Sequence, residues 1–591
     1  MIDAIGSKRS SEERGSTFAS RSSNPSLVKT LSIAVIAIAV LTGASLRVAW
    51  LGSVPLGLAQ DEAVDGYDAY SILKTGRDHH GNFMPIVMQG FNDYRMPLFQ
   101  YSLVPMVWML GLQTEVVRLG AAIWGIIDLI AITCAAGLML GWEGAAAAAI
   151  LGALMPWHLE LSRYGIETTA ASATVSIAMA SFLMWVRDRR NSWLFLSSLS
   201  FGLSLYTYAV TKALVPLLLA MIAVLYWREL KQARMKALAA LAIVFVIALP
   251  QAFKFISNTS AMQVEYSHLS IFSKDAICMG CDSRQTESAM KSIPWLLAAN
   301  FASNFTPSFL FQRGDHGDHW TMIHPPHFGE LLPEQAVLIA LALIGLLGSV
   351  RRKVAILILA WVLFAAVPAA LIKPLGVGFY QPGNVPTPWA LITSKIIPTP
   401  VRPSMLLDHT DSRHGAMAMA PWILMSALGF VVLLDLTSRS VILRWIAVAL
   451  LGVGILFHSV RFLSNYFEDF PTYAAPYFQY GIKEVLQTID KKYPADIPVV
   501  ISPRINQPYI YVLFFEQYPP ATFQKGPVLQ EPGIFGHVAG FGRYSFIEQT
   551  RPYVKWPNGV FVYVSVERVF GQTDVTINYP DGSVAYKIVV K

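Results

Sequence analysis

The sequence predicts an α-helical polytopic membrane protein with about eleven spans and a small α/β domain outside the membrane at its C-terminal end. Three observations predict it. First, 54% of the 591 residues are apolar and only 14% are charged, with a mean hydropathy of +0.46. A soluble domain carries about 25% charged residues, so lipid must cover much of this surface. Second, apolar runs of helical length recur from residue 31 to residue 458, separated by basic connectors. Third, the composition changes after residue 459, where polar residues and short alternating strands take over. The net charge of +7 fits the excess of Lys and Arg that membrane proteins carry on cytoplasmic loops. No basic tract is interleaved with aromatics, which argues against nucleic acid as a partner.

Residues 1–30 are rich in Ser, Lys and Arg and read as a disordered cytoplasmic tail. The run Leu31 to Leu51 is a first span rather than a signal peptide, because no clear cleavage site follows it and many spans come later. Further runs lie near 98–111, 118–139, 145–156, 168–186, 193–210, 213–227, 237–253, 335–350, 354–372, 416–436 and 441–458. Four basic connectors orient them towards the cytoplasm: Arg187 to Arg190, Arg228 to Lys236, Arg351 to Lys353, and Arg439 with Arg444. Segments 52–96, 158–167, 254–334 and 373–415 then fall outside, as does everything after 459. The scheme needs an even number of crossings between 97 and 157 but finds three runs, so one is re-entrant or two share a broken helix.

The multispan domain thus covers 31–459 and an extracytoplasmic soluble domain covers 460–591. In the latter, strands are expected at Ile497 to Ile501, Tyr509 to Phe514, Phe561 to Val566 and Val575 to Tyr579. The turn Pro580 to Gly582 joins the last of these in a hairpin to Val584 to Val589. Of the three cysteines, Cys134 reads as a small buried hydrophobe. Cys278 and Cys281 form a lone C-x-x-C, half of a zinc site, for which a disulfide is the better reading in an oxidising compartment.

Asp61 and Glu62 follow the first span directly. On spacing alone they fit a wetted turn, since surface carboxylates are common. A carboxylate held there could equally accept a hydroxyl proton during group transfer.

The surrounding loop resembles that of the membrane glycosyltransferases that use lipid-linked sugars. This is the GT-C superfamily, with its protein O-mannosyltransferases, aminoarabinose transferases and bacterial relatives. The acidic pair Asp61-Glu62 is similar to the one that follows their first span, and Tyr67 to Asp78 with Gly81 and Pro85 continues the likeness. Val117 to Leu119, Pro156 to Glu167, Phe305 to Asp315, and Asp408 to Arg413 followed by Pro421 look like later motifs of the same branch. The likeness covers roughly residues 31–460, in order. The insert Gly376 to Val401 departs from the usual short connection and leaves the alignment of Arg413 open.

The resemblance implies an inverting transferase in the cell membrane, with its N-terminus cytoplasmic and its site outside. It would move a hexose or pentose from a polyprenyl phosphate to a protein, lipid or glycan acceptor. Asp61 would be the base, with Glu62 and Glu167 assisting. Asp65 and Asp68, on the same loop without a matched motif, should be replaceable. The leaving phosphate gains charge, so cations should meet it; Lys212, Arg163 and Arg413 are the candidates, with Arg313 on the same side. Lys212 could instead snorkel to the interface, and Arg163 could pair with Glu160 or Glu167. A divalent metal ion is the one cofactor in view. Asp315 to His319 and His324 to His327 carry suitable residue types. His316 and His319 are the candidate ligands, although loop histidines are more often solvated. The rivals are a transporter or flippase for a lipid-linked sugar and a non-catalytic scaffold. A transporter usually shows a repeated half and charges inside its bundle, and no repeat is visible here.

Overall fold

The computed structural model describes residues 25–91, 94–257, 270–272, 293–315, 324–347, 352–372, 411–526, 528–529, 538–547, 559–567, 569 and 572–590. Residues 1–24 of the expected 1–30 tail, Cys278, Cys281, His316, His319, the insert 376–401 and Asp408 lie outside these residues, whereas 25–30, expected as disordered, open the first helix.

The bundle is built from α1 (Pro25–Val48), α2 (Gln60–Thr75), α3 (Leu98–Leu110), α4 (Thr114–Leu140), α5 (Trp142–Leu154), α6 (Pro156–Leu161), α7 (Thr168–Asp188), α8 (Asn191–Ser204), α9 (Thr211–Leu225), α10 (Trp227–Gln232), α11 (Arg234–Ser257), α12 (Ile293–Ser303), α13 (Pro333–Leu347), α14 (Arg352–Ala370), α15 (Met419–Leu436) and α16 (Val441–Ser464). Among the described residues seven helices are long and apolar enough to cross a membrane, and four shorter apolar helices accompany them. The chain is an integral membrane protein. Its helices divide by burial. The apolar windows of α7 and α15 are 83% and 78% buried inside the protein, whereas those of α1 and α16 are 17% and 6% buried. The outer helices expose Ile38, Leu41, Trp445 and Leu450, which only lipid can cover. Cys134 belongs to this outward surface of α4, contrary to the buried position expected for it. Apolar composition alone does not distinguish a side chain buried in protein from one facing lipid.

The crowding between 97 and 157 has a simple resolution. Lys29 lies over the Trp142 ring, and Arg47 bonds the carbonyls of Gly152 and Ala153. Helix α5 therefore runs parallel to α1. Helix α3 instead buries Phe99, Leu103 and Val107 in a core shared with α2 and the C-terminal domain. It is the run that lies against the bundle rather than through it. At the other end, Lys353 reaches Glu229 at 3.1 Å, which brings two of the basic connectors together.

Segment 52–96, expected as a loop, contains α2. Its first turn carries Asp61 and Glu62, whose charges suit the positive end of the helix dipole. Gly76 closes it with φ 69°, its N–H bonded to the Ile72 carbonyl.

Beyond α16 the chain continues through α17 (Phe470–Ala474) and α18 (Ile482–Lys492) into a sheet of β3 (Val499–Ile501), β4 (Val528–Leu529), β5 (Val538–Phe541), β6 (Tyr544–Ser545), β7 (Val560–Val564), β8 (Thr573–Asn578) and β9 (Val584–Val590), ordered β4-β5-β6-β3-β7-β9-β8. A separate short hairpin pairs β1 (Met88–Gln89) with β2 (Tyr94–Arg95). Strand β3 is parallel to β6 and β7, and the remaining pairs are antiparallel. The β8–β9 hairpin turns where expected, with Gly582 at φ 84°. Tyr509 to Phe514, expected as a strand, is the core of helix α19 (Pro508–Phe515). It is buried on every side, so its apolar run carries no period to separate helix from strand. Pro508 in the first turn favours the helix. This domain seats on α2: Tyr67 donates to the Tyr518 carbonyl at 2.7 Å, and the Gln524 amide donates to Ser71, Thr75 and the Asp78 carbonyl. These contacts fix the middle and the C-terminal end of α2 against the outer domain.

Candidate active site

Asp61 and Glu62 share a helical turn and have opposite environments. Glu62 is fully buried. Its carboxylate accepts from Arg118 Nε at 2.8 Å and Nη2 at 2.9 Å, and from the Gly165 and Ala59 N–H groups at 2.9 and 3.0 Å. Arg118 spends its remaining N–H groups on the carbonyls of Leu51, Pro55 and Gly57. All five guanidinium donors are thus used within the protein. The assisting catalytic role expected of Glu62 finds no room here. The residue is a strut that ties α1, α2 and α4 to the segment before α7.

Asp61 is 19% exposed. One oxygen accepts from Arg95 at 2.6 Å, and the other lies 3.6 Å from Arg413 Nη1. Asp61 and Arg413 come from ends of the bundle sequence 352 residues apart (413 − 61), and the fold brings them together. Arg413 is also held by Asp411, through Nε at 3.1 Å and Nη2 at 2.7 Å. Burial opposes ionisation of Asp411, but Arg413 and then His414 outweigh it and hold its carboxyl below the usual range. The Tyr208 ring lies parallel to that of His414, 6.3 Å away between centroids.

The other predicted residues separate. Lys212 is the second residue of α9, half-buried and four positions beyond Tyr208. Glu167 sits at the start of α7, near enough to Asp65 and Tyr208 for its charge to act on both. Arg163 lies among main-chain carbonyls and aromatic rings, with no contact to Asp61 or Arg413 among the described residues. It is fully buried, donates to the carbonyls of Leu46, Arg47 and Val54, and lies over the Phe467 ring at 4.8 Å. Main-chain carbonyls rather than Glu160 or Glu167 receive its donors. Arg313 is exposed at the end of the 308–313 turn.

Asp65 and Asp68 are not the solvated loop acids expected. Asp65 is buried and accepts from Gln100 at 2.8 Å and from Arg95 at 3.2 Å, both at one oxygen. Burial pushes its carboxyl well above the usual range, against the pull of Arg95. Asp68 is buried too and accepts from both the backbone N–H and Nδ1 of His79.

Reasoning from sequence missed Arg95, Tyr164 and Tyr208 as site residues. Arg95 stands in β2 and bridges Asp61 and Asp65. The available signal was elementary: acids near a membrane need a cation, and Arg95 is on the same loop. Tyr164 is buried where Asp61 and Arg413 both act on it. The resulting arrangement puts one part-exposed carboxylate between two guanidiniums, with aromatic rings alongside. Such an arrangement can hold an anion beside a proton acceptor.

Residues 95–253 match the family model described as dolichyl-phosphate-mannose-protein mannosyltransferase. That segment carries Arg95, Arg118, Glu167, Tyr208 and Lys212 and agrees with the resemblance read from the motifs. Among solved structures, ArnT from Cupriavidus metallidurans in the apo state matches at TM-score 0.46 and 12% identity, over 83% of this chain and 85% of that one. The same protein bound to undecaprenyl phosphate matches at TM-score 0.44 and 12% identity, over 84% and 86%. The Archaeoglobus fulgidus oligosaccharyltransferase tethered with an acceptor peptide matches at TM-score 0.47 and 14% identity, over 83% of this chain and 63% of that chain. No curated protein sequence matches the chain. The class defined by the fold is a multispan helical membrane protein with a C-terminal sheet domain. Over residues 95–253 its sequence is similar to the mannosyltransferase family.

Proposed function

We propose that the chain is an inverting glycosyltransferase that moves a sugar from a polyprenyl phosphate to an acceptor hydroxyl at the non-cytoplasmic face. The observation that carries this reading is the meeting of Asp61 with Arg95 and Arg413 at the start of α2. In the reaction the acceptor oxygen attacks the anomeric carbon, its proton passes to Asp61, and the bond from that carbon to the phosphate oxygen breaks. Negative charge develops on the departing polyprenyl phosphate. Arg413, already within 3.6 Å of Asp61, is placed to neutralise it. Lys212 at the start of α9 is a second cation for the phosphate, and Glu167 helps orient the acceptor. Arg95 keeps hold of one Asp61 oxygen, so the other stays aimed at the acceptor when the phosphate occupies Arg413.

The test uses purified full-length protein in nanodiscs, a panel of radiolabelled polyprenyl-phosphate hexoses and pentoses, and native envelope fractions as the acceptor source. Transfer of label with inversion at the anomeric carbon, abolished by Asp61→Asn, is expected. Movement of intact donor between leaflets without bond cleavage would establish the flippase reading instead. Neither activity with any donor would leave the scaffold reading.

A further inference from the structure

A second cluster of ionisable groups lies apart from Asp61. Glu160 on α6, His324, and Glu330 ahead of α13 converge from distant parts of the chain, each at most 3% exposed. One ligand atom from each lies within 4.8 Å of the others. His324 Nδ1 is 2.8 Å from a Glu160 oxygen and 3.9 Å from Glu330 Oε1. The remaining oxygens, Glu160 Oε1 and Glu330 Oε2, are buried and have no hydrogen-bond partner among the described residues. Asp315 adds a third carboxylate whose charge acts on both glutamates. Buried oxygens of this kind are costly unless something positive meets them.

The histidine adds an independent argument. Its Nε2 faces the Phe328 carbonyl at 2.8 Å, so that nitrogen donates a proton. Its Nδ1 faces a carboxylate. With one proton on the ring, a lone pair points at an anion, and a bridging cation removes that conflict. An imidazole that binds a metal through one nitrogen ordinarily donates from the other to a carbonyl or carboxylate. Ligands of a tetrahedral zinc ion, with bonds of about 2.0–2.1 Å, sit about 3.3–3.4 Å apart. The two Nδ1 distances, 2.8 and 3.9 Å, bracket that spacing, so small side-chain adjustments suffice.

We propose that Glu160, His324 and Glu330 bind one divalent first-row transition ion, zinc being the class that suits an imidazole with two carboxylates. The site is structural. It staples the segment 324–330 to α6, which leads directly into Tyr164 and Glu167. The Asp315 N–H donates to Glu330 at 2.9 Å, and the Asp315 carboxylate accepts from the Ser412 N–H and hydroxyl at 3.0 and 2.9 Å. Ser412 lies between Asp411 and Arg413, so the ion anchors the frame that carries Arg413. The proposal does not depend on the chain's being a transferase.

The test counts metal in the full-length chain, purified in detergent from zinc-supplemented cells and dialysed against metal-free buffer. About one zinc per chain is expected in the natural protein, as tight structural sites retain their ion. The same content is expected in Cys278→Ser/Cys281→Ser and in His316→Ala/His319→Ala. His324→Ala and Glu330→Gln should lose it. Full zinc in those two, or loss confined to the cysteine or His316/His319 variants, would overturn the proposal, as would a metal-free natural protein. Should the two variants fail to fold, X-ray absorption on the zinc-loaded natural protein decides. Nitrogen and oxygen neighbours with one imidazole support the site, and sulfur neighbours refute it.

Discussion

Asp61 and Glu62 stand one residue apart, and each faces arginine, yet the two regions they build behave as opposites. The Glu62 region is closed. Both of its oxygens accept two bonds, Arg118 has no donor to spare, and neither side chain is exposed. The Asp61 region is open. Its carboxylate is part-exposed, and the 3.6 Å separation from Arg413 is longer than a hydrogen bond. A saturated pair can only hold things in place, whereas an unsaturated one can exchange a partner for a substrate. Position on the helix decides which is which, because consecutive residues point about 100° apart. Glu62 faces Arg118 at the junction of the spans, and Asp61 faces Arg95 and Arg413.

The sharpest way to break this comparison is Glu62→Gln. It leaves the Arg118 charge buried with a neutral neighbour, and breaking a buried pair typically costs about 3–5 kcal/mol. The variant should show a steep fall in thermal midpoint and in the yield of monodisperse protein. Wild-type melting with activity alone lost would move Glu62 into the chemistry.

Asp61→Asn should do the reverse. Removing a general base typically costs about 10²–10⁴-fold, so transfer should fall at least about a hundredfold while melting stays near that of the natural protein. Near-normal turnover in the purified system would remove Asp61 as the base.

Arg413→Ala comes next. Losing a hydrogen-bonded charged partner costs about 1.5–3 kcal/mol, tens of fold in donor use. Arg163→Ala provides the contrast within the comparison. Its partners are backbone carbonyls of the bundle, so stability rather than donor kinetics should suffer. An Arg163 variant that folds normally and fails only with donor would reverse their roles.

These contrasts also mark how far the sequence could be read. The spans were legible because lipid imposes a length and a composition, and the β8–β9 hairpin was legible from Pro580 to Gly582. Asp61 and Arg413 were found through motifs. Partners were not legible. Arg163 and Arg413 look equivalent as letters, and only the fold shows one spent on carbonyls and the other beside Asp61. Arg95 went unnoticed although it shares a loop with the acids, because the sequence does not show that β2 folds back onto α2. Tyr509 to Phe514 was misread because total burial erases the period that separates helix from strand. Asp65 and Asp68 looked like loop acids because the sequence shows neither α2 nor the domain that covers it.

The smallest expected effect belongs to Asp65→Asn, and it tests who owns Arg95. Arg95 touches both Asp61 and Asp65, and one guanidinium close to two carboxylates fits best if only one is charged. Burial pushes Asp65 well above the usual range, while Asp61 keeps access to water. Asp65 Oδ2 also has no partner among the described residues, where an ionised oxygen would be costly. On this reading Asp65 is the neutral member and Arg95 serves Asp61. An asparagine keeps the shape and the acceptor oxygen that Gln100 uses, so only a neutral contact changes, at about 0.5–1.5 kcal/mol. Melting should fall slightly, and transfer should change by only a few-fold, roughly tenfold at the upper end of that range. A loss as large as that of Glu62→Gln would mean that Asp65 is ionised and is the main partner of Arg95. Asp61 would then be held less firmly than the geometry implies, and the boundary between the closed and open regions would run through Arg95 rather than between Asp61 and Glu62.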